Sequence, residues 1–199
     1  MLTRQQIPNL LTFARVLAVP LCLGIILTEP LGKNQALLWI FIAASLTDFL
    51  DGYLARKWDA TSRLGTLLDP IADKLLVALM LVFLLETLRL PPFIFPISPL
   101  FLPVCVILLR ELYIAGLREF LAGRQITLPV SKGGKWKTAL QMVAITLLLA
   151  SLAFGPPIAS NSPVVEYAWR IGLALLYASA LLAFTSAINY TRASLKHLH

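Results

Sequence analysis

Charged residues are scarce in this sequence. Lysine, arginine, aspartate and glutamate make up 14% of its 199 residues, whereas soluble domains average about 25%. Hydrophobic residues make up 58% of the chain. A single core cannot bury them all, because a domain of this length still exposes about a third of its unfolded surface. The composition therefore excludes a soluble globular protein and predicts an integral membrane protein.

Cysteine is also rare, and no sustained alternation of apolar and polar residues is present. The two cysteines, Cys22 and Cys105, are too few for a disulfide scaffold. Both lie in apolar runs without metal-ligating neighbours, so we expect them to be small buried side chains. Without strand-like alternation, helices are the element expected to cross a bilayer. The net charge of +7 is accompanied by no nucleic-acid-binding motif, so no nucleic-acid partner is predicted.

Six apolar runs are long enough to cross a bilayer, which takes about 20 helical residues. They cover residues 10–27, 36–53, 71–87, 99–117, 138–154 and 165–190. Eleven lysines and arginines lie in alternate connecting segments and only three on the opposite side, so the positive-inside rule places both termini in the cytoplasm. We predict an all-α bundle of six transmembrane helices, formed by a single membrane-embedded domain over residues 1–199. Gly172 and residues 178–180 suit either a dimer face or packing within the chain.

Four aspartates lie at or near the ends of the second and third apolar runs, where a charge is costly in lipid. They are Asp48, Asp51, Asp69 and Asp73. At helical spacing the first pair shares one face, and the second pair continues a ladder of every fourth residue from Gly65. Uncompensated, four carboxylates at one membrane surface would repel one another. They are hard oxygen ligands that suit Mg²⁺ or Mn²⁺, so the pattern predicts a site for one or two such ions.

Neighbouring residues extend this prediction to a phosphate-containing substrate. Gly52 and Gly65 leave room for a phosphate near the backbone, and Arg56 can bind one through two hydrogen bonds. Two alternatives stay open. Asp69 can cap a helix that starts at Pro70, and the aspartates can all be solvated surface carboxylates. An ion-coupled transporter is a further alternative, although the aspartates cluster near one surface and no inverted repeat of them follows.

A family resemblance rests on eight residues at fixed spacing. The sequence matches every position of the CDP-alcohol phosphotransferase signature, as Asp48-x-x-Asp51-Gly52-x-x-Ala55-Arg56, eight residues, then Gly65-x-x-x-Asp69-x-x-x-Asp73. The resemblance implies transfer of a phosphatidyl group from CDP-diacylglycerol to an alcohol, with release of CMP. It also implies Asp73 as catalytic base, a homodimer, and a multi-pass protein of a bacterial-type inner membrane with a cytoplasmic active site.

The same resemblance implies which residues contact the donor. CDP-diacylglycerol is expected at Asn9, Asp48, Gly52, Arg56, Ser62 and Gly65. Asn9 has an alternative role as the cap of the first helix.

Basic residues of the fourth and fifth runs predict where the acceptor binds. Arg110 lies too deep to signal topology and shares a helix face with Arg118, while Lys135 and Lys137 begin the fifth run. These four can bind an acceptor phosphate, although Arg110 can instead form a structural ion pair. Local segments around them resemble family members that use sn-glycerol 3-phosphate, which implies this acceptor. Serine, inositol phosphate and phosphatidylglycerol stay open as alternatives.

Overall fold

The protein is all-helical in the part of the chain that the structure describes. The computed structural model describes residues 6–58, 63–88, 98–124, 126, 133–155 and 162–195, without the side chains of 6–9, 49–58, 63–67, 69 and 133–135. These residues form α1 (Gln6–Thr28), α2 (Lys33–Trp58), α3 (Arg63–Thr87), α4 (Phe101–Ala122), α5 (Gly133–Phe154) and α6 (Pro163–Leu195). Five of the helices contain one of the six predicted apolar runs, and α4 contains all but the first two residues of the remaining run, which confirms the all-α prediction.

The helices are longer than the apolar runs, chiefly at the ends that carry most of the basic residues. α1, α3 and α5 begin before their runs, and α2, α4 and α6 end after theirs. Hydropathy detects only the residues suited to lipid. The helix continues beyond them because its hydrogen bonds are internal and because Arg, Lys, Glu and Ala favour helical backbone. The predicted helices were therefore too short at the ends that carry most of the basic residues.

Two alternatives based on helix caps are wrong. α3 runs unbroken from Arg63 to Thr87 with Pro70 inside it, so Asp69 does not cap a helix that starts at Pro70. Proline lacks a backbone N–H and costs a helix one hydrogen bond, but α3 packs along α1, and this tertiary contact supports the continuous helix. α1 begins at Gln6, so Asn9 lies inside that helix and is not its cap.

The core lies where the six described helices meet. Leu37, Phe41, Met80, Leu148 and Leu176 are fully buried there. α1 packs against α2 and α3, α5 packs against α2 and α6, and α4 packs mainly against α6. α3 approaches α4 and α5 less closely over the described residues, and a cavity lies between these three helices.

Small residues of α6 pack inside the protein. Gly172 is buried, and a Cβ atom at this position would lie 3.0 Å from Cγ of Leu148 and 3.2 Å from the carbonyl oxygen of Ala144. α5 and α6 therefore approach too closely for a larger side chain. Gly172 serves packing within the chain, which is one of the two predicted alternatives. Cys22 and Cys105 are both free thiols; Cys22 is buried as predicted, whereas Cys105 is only partly buried.

Three of the described helices contain segments that are apolar enough to cross a membrane. These segments are Leu10–Thr28, Trp136–Phe154 and Pro163–Leu195. The remaining helices are of similar length but carry Asp48, Asp73 and Glu111 among their apolar residues. Large apolar side chains such as Leu112 and Val164 lie exposed, as expected for a surface that faces lipid. The structure thus agrees with a membrane protein.

Candidate active site

A buried arginine joins the first three helices. Nη1 of Arg15 on α1 donates to Oδ1 of Asp48 on α2 at 2.8 Å and to Oδ1 of Asp73 on α3 at 2.7 Å. The Arg15 side chain is 1% exposed, whereas those of Asp48 and Asp73 are 37% and 32% exposed. We call these three residues the carboxylate cluster. One enclosed cation holds two carboxylates that remain partly open, and one negative charge is left in excess.

Helical periodicity explains why Arg15 points inward. Thr12, Arg15, Ala18 and Cys22 are buried, and their spacing of three or four residues places them on one face of α1. Sequence analysis did not assign Arg15 to the site. The signal that could have found it is an arginine in the middle of an apolar run, since such a residue needs an acidic partner.

A second group of charges joins α4 and α5. Nη1 of Arg110 donates to Oε1 of Glu111 at 2.9 Å, and Nζ of Lys137 donates to the same oxygen. Nη2 of Arg110 also donates to Oγ of Ser186 on α6 at 3.2 Å. We call Arg110, Glu111 and Lys137 the basic cluster. Here one carboxylate lies between two cations, so one positive charge is left in excess.

Both clusters reach the same cavity. It has a volume of about 460 Å³ and lies between α3, α4 and α5. Asp73 and Lys74 line it from α3, Glu111 from α4 and Lys137 from α5, while most of the remaining wall is apolar. A cavity of this kind can hold a polar group between a carboxylate and an ammonium while it accommodates adjoining hydrocarbon.

Two of the other predicted acceptor residues, Arg110 and Arg118, lie in different surroundings. Arg110 lines a second cavity, of about 450 Å³, between α4 and α6. The Arg118 guanidinium stacks over the ring of Tyr190 on α6, 5.5 Å from its centroid. Of the three predicted acceptor residues whose side chains the structure describes, Lys137 is the one that shares the cavity with Asp73.

Several predicted site residues lie outside the described side chains. Ser62 is outside the described residues altogether, and Gly52 and Gly65 are described only as helical backbone. Five further side chains are likewise not described by the structure: Asn9, Asp51, Arg56, Asp69 and Lys135. Their roles stay predictions.

The carboxylate cluster fits a divalent ion by its donor set. Oδ1 of Asp48 and Oδ1 of Asp73 contact the same nitrogen atom, so the two carboxylates are neighbours. Carboxylate oxygens are the ligands that Mg²⁺ and Mn²⁺ prefer. Among the described side chains, no three or more aspartates, glutamates, histidines or cysteines cluster so that they could hold a metal ion. Asp51 and Asp69, which were predicted to complete the set, are not among those side chains.

Comparison with known proteins identifies the family. A family model of the CDP-alcohol phosphatidyltransferases matches residues 5–186. The chain belongs to this family. A CDP-diacylglycerol–glycerol-3-phosphate 3-phosphatidyltransferase from Cereibacter sphaeroides is 36% identical to it over 97% of both chains, and one from Rickettsia bellii is equally similar and equally covered. A cardiolipin synthase (CMP-forming) from Oryza sativa subsp. japonica is 40% identical over 94% of this chain and 56% of that protein.

Membership of the CDP-alcohol phosphatidyltransferase family confirms the predicted resemblance and makes the protein a transferase. The matched residues include the carboxylate and basic clusters and the cavity that they share. The family match decides against an ion-coupled transporter as the explanation of the aspartates. Within the carboxylate cluster, Asp48 and Asp73 are the first and last aspartates of the family signature.

Proposed function

We propose that this CDP-alcohol phosphatidyltransferase transfers the phosphatidyl group of CDP-diacylglycerol to sn-glycerol 3-phosphate and releases CMP. The observation that carries the proposal is that Asp73 and Lys137 line one cavity. A phosphorylated alcohol needs a base beside its hydroxyl group and a cation beside its phosphate, and the two walls of the cavity offer both. The names of the relatives from Cereibacter sphaeroides and Rickettsia bellii support the same acceptor.

In the proposed reaction Asp73 acts as the general base. Its carboxylate takes the proton of the glycerol 1-hydroxyl as that oxygen attacks the phosphorus that carries the diacylglycerol. The bond from this phosphorus to the bridging oxygen breaks, and CMP leaves with the electron pair. Lys137 binds the acceptor phosphate, Arg110 pairs with Glu111 beside it, and Arg15 orients Asp73 before the substrates arrive. A single displacement predicts inversion of configuration at phosphorus.

The proposed cofactor is Mg²⁺ or Mn²⁺, with two ions per site. Asp48 and Asp73 would hold it together with Asp51 and Asp69. When bound, it would neutralise the pyrophosphate of the donor and the charge that develops on the leaving oxygen. The residues proposed to contact the donor are Asn9, Asp48, Gly52, Arg56, Ser62 and Gly65.

The proposed topology has six membrane spans, both termini in the cytoplasm and the active site at the cytoplasmic face of a bacterial-type inner membrane. It is supported by the bias of basic residues and by the extension of each helix at its more basic end. Glu29→Cys, in the α1–α2 connection, should react with a membrane-impermeant maleimide in intact cells. Glu119→Cys, near the end of α4, should react only after lysis. A homodimer is also proposed from the family resemblance, and the mass of the protein in native nanodiscs tests it.

The decisive experiment supplies one acceptor at a time. Purified protein is given Mg²⁺ and CDP-diacylglycerol labelled in its CMP moiety, with glycerol 3-phosphate, phosphatidylglycerol, inositol phosphate or serine. We expect labelled CMP to be released with glycerol 3-phosphate. Release with one of the others alone would overturn the acceptor assignment, and no release with any of them would overturn the proposed reaction.

Phosphatidylglycerol is the second candidate acceptor. The cardiolipin synthase from Oryza sativa supports it, because its name implies CMP release and its sequence is 40% identical over most of this chain. The apolar wall of the cavity is also compatible with a lipid acceptor. The two acceptors differ in charge, because glycerol 3-phosphate ends in a phosphate monoester and phosphatidylglycerol contains a diester. Loss of the Lys137 charge should therefore weaken the use of glycerol 3-phosphate more.

A further inference from the structure

Arg15 is the least exposed charge of the carboxylate cluster, and it contacts the atoms that a metal ion would use. Its Nη1 lies 2.8 Å from Oδ1 of Asp48 and 2.7 Å from Oδ1 of Asp73. The guanidinium is enclosed by the bundle, while both carboxylates keep about a third of their surface open. Arg15 therefore approaches the carboxylate pair from the protein interior, and the accessible side of the pair remains available to a ligand.

The energetics of these contacts make Arg15 more than a packing residue. A guanidinium in an apolar bundle is stable only when it is paired, and two neighbouring carboxylates need a cation between them. A divalent ion bound to both carboxylates would satisfy them more strongly than one guanidinium. It would also bring a double positive charge close to the Arg15 side chain. Arg15 and the ion therefore compete for the negative charge of the same two carboxylates.

We infer that Arg15 is a built-in counter-ion that competes with the divalent cofactor for Asp48 and Asp73. It holds α2 and α3 together through their carboxylates while the ion is absent, and it yields these oxygens when the ion binds. The inference rests on the proposed metal site. It goes further because it predicts two effects of Arg15: a lower affinity for the metal ion and a higher stability of the metal-free protein.

Metal binding by two variants tests the competition directly. The full-length protein in nanodiscs is stripped with chelator, and Mn²⁺ binding is measured from the free-ion electron paramagnetic resonance signal, without lipid substrate. Arg15→Gln removes the competing charge, so we expect its Kd for Mn²⁺ to fall about tenfold, the equivalent of one charge-assisted hydrogen bond. Arg15→Lys keeps the charge and should bind Mn²⁺ more nearly as the wild type does. Arg170→Gln, which breaks an exposed pair with Glu166, serves as the control and should leave the Kd unchanged.

Arg15→Gln should lower the unfolding temperature of the metal-free protein although it strengthens Mn²⁺ binding. A purely structural role for Arg15 does not predict this combination. In chelator Arg15→Gln should unfold at a lower temperature than the wild type, because two carboxylates have lost their cation. Saturating Mn²⁺ should then raise the unfolding temperature of Arg15→Gln more than that of the wild type. A Kd for Mn²⁺ in Arg15→Gln that equals or exceeds the wild-type value would overturn the inference.

A measurement on the wild type covers the case in which Arg15→Gln does not fold. Phenylglyoxal modifies accessible arginines, and peptide mapping reports the extent at each one. We expect Mn²⁺ to change the extent of modification of Arg15, because its ion pairs are altered, and modification that is independent of Mn²⁺ would contradict the competition. Asp48→Asn tests the metal site separately from the role of Arg15. If the Kd for Mn²⁺ is unchanged in Asp48→Asn, the proposed metal site is wrong, whereas if it rises while Arg15→Gln has no effect, only the role of Arg15 is wrong.

Discussion

The two charged clusters have the same plan with the signs exchanged. In the carboxylate cluster one cation lies between two carboxylates, and in the basic cluster one carboxylate lies between two cations. We call Arg15 and Glu111, each the single charge of its sign in its cluster, the minority charges. Each of them holds the other two groups of its cluster together. The excess charge that remains, negative in one cluster and positive in the other, is opposite to that of a metal ion or a phosphate respectively.

The clusters differ in how firmly the minority charge is enclosed. The Arg15 side chain is 1% exposed, and its helix α1 packs closely against both α2 and α3. The Glu111 side chain is 24% exposed, and in the described residues its helix α4 has little direct packing against α5, the helix of Lys137. The carboxylate cluster is thus fixed by packing around it, whereas the basic cluster lies across an open space and can adapt to an acceptor.

The largest expected effect is at Asp73, which belongs to the carboxylate cluster and also lines the cavity. Asp73→Asn removes the proposed base but keeps the size of the side chain, so turnover should fall by about 10²–10⁴-fold. CMP release from saturating substrates measures this. Glu166→Gln, which changes an exposed carboxylate on α6, is the matched control and should retain full turnover. Near-normal turnover in a folded Asp73→Asn protein would remove Asp73 from the mechanism.

The next effect tests the basic cluster, and it should appear in a different kinetic parameter. Lys137→Met keeps the length of the side chain and removes its charge. We expect the KM for glycerol 3-phosphate to rise by about 10–100-fold, the range for a hydrogen bond to a charged group. The KM for CDP-diacylglycerol should change little. Lys33→Met breaks the Lys33–Glu29 pair in the α1–α2 region and is the control. Equal changes in both KM values would mean that Lys137 supports the whole site and does not select the acceptor.

The sequence predicts the carboxylate side of this comparison better than the basic side. Asp48 and Asp73 could be predicted together because helical periodicity and a signature of fixed spacing both apply to them. Their partner Arg15 could not be assigned from spacing, since it lies on a third helix and only tertiary packing brings it to the pair. For the same reason Arg110 and Arg118 were predicted as one surface, although the fold directs them to different partners.

Glu111→Gln tests whether the minority charge of the basic cluster competes with the acceptor, as Arg15 is inferred to compete with the metal. Glu111 accepts hydrogen bonds from Arg110 and Lys137 through one oxygen, and an amide there would neutralise neither cation. We expect the KM for glycerol 3-phosphate to fall by about three- to tenfold, because the phosphate no longer displaces a carboxylate. Inorganic phosphate should inhibit the variant more strongly than the wild type. A rise in KM would mean that Glu111 positions Lys137 and does not compete with the substrate.

The smallest effect concerns the connection of the basic cluster to α6. Ser186→Ala removes the acceptor of a hydrogen bond from Nη2 of Arg110, which at 3.2 Å is long for a charged donor. The other contact of Arg110, to Glu111, remains, so we expect the KM for glycerol 3-phosphate to rise by only about twofold. Thr185→Ala is the control, because the Thr185 hydroxyl donates to carbonyl groups of its own helix. If Ser186→Ala proved as damaging as Lys137→Met, the basic cluster would be as dependent on fixed packing as the carboxylate cluster, and the contrast between an enclosed and an adaptable cluster would fail.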